Sequence, residues 1–109
     1  MFSFLRRKPA PEGPVTFEVA VEVDKPASEV YPLLDWTDRR NAKRELGHRI
    51  EPLDGGRFRL ILTEMPEHRF DMTILEAVPD RAYAFSTDVQ PRVGRLESDE
   101  EHYSLEPIG

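Results

Sequence analysis

The chain contains no cysteine. That excludes disulfide scaffolds, Cys-ligated zinc, iron–sulfur clusters and thiol nucleophiles. It has no apolar run near the ~18–20 residues of a membrane-spanning helix. It lacks a basic excess: 15 Lys and Arg stand against 21 Asp and Glu, for a net charge of −6. General nucleic-acid binders carry a basic footprint, so no nucleic-acid partner is expected. A secretory signal is missing too, because Arg6, Arg7 and Lys8 follow a very short apolar stretch rather than preceding a longer one. The expected location is therefore cytoplasmic. With 10 Pro and 6 Gly in 109 residues, the composition is not low-complexity. Leu, Ile, Val and Phe supply 28 of the 109 residues, above the roughly 20% below which chains stay disordered. What remains is one folded domain with a charged surface.

Residues 1–14 read as a flexible leader, since Pro9, Pro11, Gly13 and Pro14 oppose regular structure. Phe2, Phe4 and Leu5 beside the three cations also have the makings of a weak membrane or partner contact, but a frayed terminus is the preferred reading. The domain proper runs over 15–109. From Val15 to Val23, apolar Val15, Phe17, Val19, Val21 and Val23 alternate with Thr16, Glu18, Ala20 and Glu22. Period two with β-branched enrichment predicts an antiparallel strand with one buried face.

The period then changes. Asp24 or Lys25 caps a helix that Pro26 opens, and Val30, Leu33 and Leu34 share its inner face. Pro32 must kink or end it, so the helix is short. A second short helix is expected over 38–46, stopped by Gly47. A meander of strands follows: 48–53, the Asp54-Gly55-Gly56 turn, 57–65, 68–78, the Pro79-Asp80 turn, 82–88, a loop over 90–94, and 96–106. The layout is α+β, an antiparallel sheet with two short helices after the first strand.

The segment Phe17 to Trp36, FEVAVEVDKPASEVYPLLDW, resembles the opening of the START-like (SRPBCC) superfamily, which includes polyketide cyclase/dehydrase-like and lipid-transfer domains. The resemblance rests on Val19, Val21, Val23, Asp24, Pro26, Val30, Tyr31 and Asp35. It extends to FDMTILEAVPDRAYAFS, Phe70 to Ser86, with its VPDR turn. It implies a helix-grip fold: a curved antiparallel sheet holding a long C-terminal helix over a hydrophobic cavity. That helix has no counterpart in this chain, so the strand faces need another cover, and a homodimer or other cover is expected.

The candidate ligand-binding residues are Tyr31, Trp36, Phe58, Leu60, Leu62, Glu64, Phe70, Met72, Tyr83, Phe85 and Tyr103. Most are apolar or aromatic groups on the expected inner faces, and Glu64 shares the parity of Leu60 and Leu62. His48, His68 and His102 have no metal-ligand spacing, so no metal and no cofactor are expected. Arg39, Arg40, Lys43 and Arg44 form the one concentrated basic patch, read as a solvated helix face or as a site for phosphate or acidic lipid. No catalytic motif stands out. The expected function is binding of a hydrophobic small molecule or lipid. The alternatives are a polyketide cyclase-like enzyme and a dimerising or partner-binding module.

Overall fold

In a computed structural model of the protein, the described residues are 2–10, 15–94 and 96–107, with side chains described from Glu18 onward. Strands β1 (Phe2–Ala10) and β2 (Val15–Val23) precede helices α1 (Ala27–Leu34) and α2 (Ala42–Glu45). Strands β3 (Arg49–Leu53), β4 (Arg57–Ile61), β5 (Arg69–Val78), β6 (Ala82–Val93) and β7 (Leu96–Pro107) complete the chain. The seven strands make one sheet in the order β2-β1-β7-β6-β5-β4-β3, and neighbours pair antiparallel throughout.

The alternating segment 15–23 is β2, as its period predicts. The leader is a correction: residues 2–10 form β1, hydrogen-bonded between β2 and β7. Proline content misled there because β1 pairs with β7 only from Phe2 to Arg7. Pro9 lies beyond that ladder, flanked on one side only, the setting in which a strand tolerates proline. Pro11, Gly13 and Pro14 lie outside the described residues.

Residues directly opposite each other in an antiparallel pair share a face. The rows Leu60–Phe70–Val89, Phe58–Met72–Thr87–Asp99 and Ile74–Phe85–Glu101 therefore run across one face. Tyr83–Tyr103 continues the same parity toward β1 and β2. The opposite face carries the row Arg59–Asp71–Asp88, where Arg59 holds Asp71 through two hydrogen bonds of 2.7 and 3.0 Å. These bonds keep the Asp71 carboxyl below the usual carboxylate range. The outer face is thus a solvated ladder of charges, as the alternation of Arg69, Asp71 and Thr73 predicts.

The helices cross the inner face from the β2 edge to the β3 edge. Helix α1 packs on β6 and β7, and α2 on β3. Pro32 does not end α1 at its own position. The helix continues for two more residues, closing when Asp35 N–H donates to the Tyr31 carbonyl at 3.2 Å. Helix α2 is shorter than the expected 38–46, because Asn41 caps it. The Asn41 side chain accepts from Lys43 N–H at 2.9 Å and donates to the Asp35 carbonyl at 3.1 Å. Gly47, at φ +85°, supplies the left-handed stop. Its N–H donates to the Arg44 carbonyl, and that of His48 to Lys43, the paired bonds of a Schellman cap.

The two helices bury the middle of the sheet. Leu60, Met72, Tyr83, Phe85 and Leu105 are buried with Val30, Tyr31 and Trp36 of the helical segment. The deficit of cover expected for the whole face falls instead on the β2 edge, where Val19 and Val21 are 48% and 46% exposed.

Asn41 is 2% exposed and joins α2 to the chain after α1. Asn41→Ala strips the α2 cap and leaves the Asp35 carbonyl with the Asp38 N–H as its one remaining donor. It is expected to cost about 1–3 kcal/mol, read as a lower urea midpoint at unchanged m-value. An unshifted midpoint contradicts this role.

Candidate functional site: a cavity under the helical segment

The inner face narrows to a pocket because α1 sits toward the Tyr83 end of the sheet. Tyr31 meets Tyr83 edge-to-face with ring centroids 5.8 Å apart. Beyond α1 the chain turns at Trp36, whose ring stands edge-on to Phe85 at 5.4 Å and 87°. Its backbone N–H donates to the Tyr83 hydroxyl at 3.1 Å. Its carbonyl accepts from Arg44 Nη2 at 2.8 Å, which ties α2 to the same residue. Trp36 therefore holds the helical segment off the remainder of the sheet. Between them lies a cavity of about 380 Å³, within the ~300–1,000 Å³ of small-molecule sites.

Its floor is Leu60, Leu62, Phe70, Met72, Phe85 and Val89, and its roof is Leu33, Leu34, Trp36, Asn41, Ala42 and Lys43. One wall is polar: Thr87, Asp99, Glu101 and Tyr103. Tyr103 O–H donates to Glu101 Oε1 at 2.8 Å, and its ring stacks on Phe85 at 6.4 Å and 18°. Trp36 Nε1 is buried without a hydrogen-bond partner among the described residues.

Of the residues expected to bind a ligand, Trp36, Leu60, Leu62, Phe70, Met72, Phe85 and Tyr103 line this cavity. Tyr31, on α1, and Tyr83, on β6, instead pack against each other in the core. Phe58 lies half-buried beside that core, outside the lining. Glu64 is displaced because β4 ends at Ile61, so strand parity does not reach it. It sits in a turn, accepts from Thr63 Oγ1 at 2.6 Å, and its side chain is 65% exposed. That bond holds its carboxyl below the usual range.

The basic patch is also divided. Arg40 is engaged by Asp38, Arg44 by the Trp36 carbonyl, and Lys43 by the cavity roof. Thr87, Asp99 and Glu101 were not foreseen. Period two from Tyr103 and Leu105 places Glu101 and Asp99 on the inner face, a signal masked by the acidic composition of Glu97–Glu101.

The histidines are held by local partners. Thr63 N–H donates to His48 Nδ1 at 3.2 Å, placing the neutral ring's proton on Nε2. His68 Nδ1 donates to the Pro91 carbonyl at 2.7 Å, and His102 contacts Glu100 at 2.8 Å. Among the described residues no group of three or more His, Asp and Glu is placed to hold a metal.

Burial pushes the Tyr83 hydroxyl far above its ordinary range, opposed by the Trp36 N–H bond and reinforced by Asp35 and Tyr31. Burial, then Asp35 and Asp80, raises Tyr31 as well. Both phenols stay neutral at physiological pH and act as packing and hydrogen-bonding groups.

Comparison with known proteins finds no family model, no curated protein and no solved structure that matches the chain.

Tyr83→Phe removes the acceptor for Trp36 N–H and leaves a buried donor unpaired. It should lower stability by about 1–3 kcal/mol in denaturant titrations at neutral pH. The raised folded-state value means that Tyr83 favours the fold below its unfolded value of about 10, and that this contribution is lost as pH rises beyond it. Alkaline loss of stability should therefore be shallower in the variant. A variant as stable as the parent, with the same alkaline limb, contradicts the role given to this hydroxyl.

Proposed function

We propose that the chain is a START-like domain that binds a hydrophobic small molecule or lipid in this cavity. The observation that carries the reading is the cavity itself, with an apolar floor and a single polar wall. Every 100 Å² of apolar ligand surface it removes from water contributes roughly 2.5 kcal/mol. The wall of Thr87, Asp99, Glu101 and Tyr103 would orient the polar end of such a ligand. Two short helices between β2 and an antiparallel meander support the family resemblance, as does the placement of Val30, Tyr31 and Trp36 over the sheet.

A polyketide cyclase-like activity is the second reading. It is favoured by the Glu101–Tyr103 pair, a carboxylate and a phenol in hydrogen-bond contact at the cavity wall. Turnover of a bound ligand separates it from simple binding. The exposed Val19 and Val21 favour a further cover over the β2 edge, with a second copy of the chain as the first candidate. A dimeric mass by light scattering supports that cover, and a monomeric mass removes it.

Native mass spectrometry of protein purified without detergent tests the main reading. A retained lipophilic molecule is expected, at one per chain. Leu62→Trp combined with Val89→Phe narrows the floor. It should abolish retention while far-UV circular dichroism stays that of the parent. Absence of any retained or added lipophile on the parent protein, or equal retention by the narrowed variant, contradicts it.

A further inference from the structure

The two edges of the sheet are unequal. Strand β3 forms one edge and β2 the other. The β3 edge is guarded. It is five residues long, contains Pro52, which has no N–H to offer, and carries the Arg49–Glu51 ion pair at 2.7 Å. The β2 edge has none of these devices. Its nine residues include no proline and no cation. Among the described residues its pairing with β1 runs without a register shift. Glu18 to Glu22 are exposed without interruption.

The exposed apolar groups on this edge continue the core. Register places Val19 in the row of Tyr103 and Val21 in the row of Leu105, on the inner face. Glu18, Ala20 and Glu22 therefore belong to the outer face. A bare edge strand presents unpaired backbone N–H and C=O groups to any strand that can match its pattern.

The pattern of β2 matches itself. Laid antiparallel on a second β2, one register uses all nine residues, the one centred on Val19. Val19 then stands opposite Val19, Glu18 opposite Ala20, and Glu22 opposite Thr16. Each carboxylate faces an uncharged residue, and the apolar faces of both copies lie on the same side. Centring on Glu18 sets Glu18 opposite Glu18, and centring on Ala20 sets Glu18 opposite Glu22. Like charges directly opposite are destabilising. A slip of a single residue turns the apolar face of one copy to the charged face of the other.

We propose that β2 pairs antiparallel with β2 of a second copy, about a two-fold axis at Val19, and joins the two sheets into one. The shared ladder is about 30 Å long. The guarded β3 edges end the joined sheet on both sides, so association closes at two copies instead of running on as a filament. The proposal rests on the reading that a second copy covers the β2 edge, and it is independent of what the cavity holds.

Sedimentation velocity of the full chain over a range of concentrations should show a monomer–dimer equilibrium and nothing larger. Val19→Lys sets lysine opposite lysine and should weaken the dimer about tenfold. Its far-UV circular dichroism should match the parent, because Val19 is exposed. Cysteine substitution then reads the register, in a chain that has no cysteine of its own. Val19 and Val21 are almost equally exposed. Under mild oxidation Val19→Cys should give a covalent dimer, because that position meets itself. Val21→Cys should not, because it meets Phe17 and stands beyond disulfide reach of its own counterpart.

A chain that stays monomeric at every concentration overturns the pairing and the second-copy cover together. A dimer that Val19→Lys leaves unchanged, or that crosslinks equally through Val21→Cys, overturns the edge pairing while a second copy still provides the cover. Growth into higher oligomers contradicts the two-fold closure.

Discussion

The hydrogen bond from Trp36 N–H to the Tyr83 hydroxyl, 3.1 Å long, fixes how the helical segment sits on the sheet. It joins Trp36, two residues past α1, to the start of β6, 47 positions away in sequence. The groups around it depend on that placement. Tyr31 meets Tyr83 on one side, and the Trp36 ring meets Phe85 on the other. Arg44 then brings α2 to the Trp36 carbonyl. A buried donor left without its acceptor is costly, so the hydroxyl at position 83 specifies the geometry more strongly than its modest net energy suggests. The cavity is what this arrangement leaves open: α1 covers the Tyr83 end of the sheet, and Trp36 props the roof above the rest.

The sheet imposes a second constraint. Pairing in register divides its side chains between a charged outer face and an inner face that is apolar across β4, β5 and β6. Along β7 the inner face changes character, from Leu105 and Tyr103 to Glu101 and Asp99. The same strand therefore supplies core at one end and the polar wall of the cavity at the other. The irregular pairing between Asp88 and Val93 closes that end of the sheet beside Val89 and Leu96, which also line the cavity.

Much of this was legible in the residues. Strand β2 and the Asp54-Gly55-Gly56 turn follow from period two and from the positive φ that glycine adopts at positions 55 and 56. The Gly47 stop follows from the same conformational freedom. What escaped depends on partners distant in sequence. Strand β1 exists through β2 and β7, and nothing local marks it as a strand. Asn41 reads as a surface polar residue but is buried, because it meets the Asp35 carbonyl. The roles of Tyr31 and Tyr83 as core rather than cavity depend on where α1 lands, a tertiary fact that no period reports. Glu64 failed for a simpler reason: the strand it was assigned to stops at Ile61.

The pocket beneath Trp36 and its apolar floor are what support the proposed binding of a lipophile. Trp36 is the sole tryptophan of the chain and lies in the cavity roof, so its fluorescence reports on occupancy at a known place. The most direct measurement is quenching of that fluorescence by a bromine-labelled alkyl lipid, titrated in detergent-free buffer. The account predicts saturable quenching with one ligand per chain, displaced by the unbrominated lipid. Linear, non-saturable quenching that the unbrominated lipid leaves unchanged would contradict it.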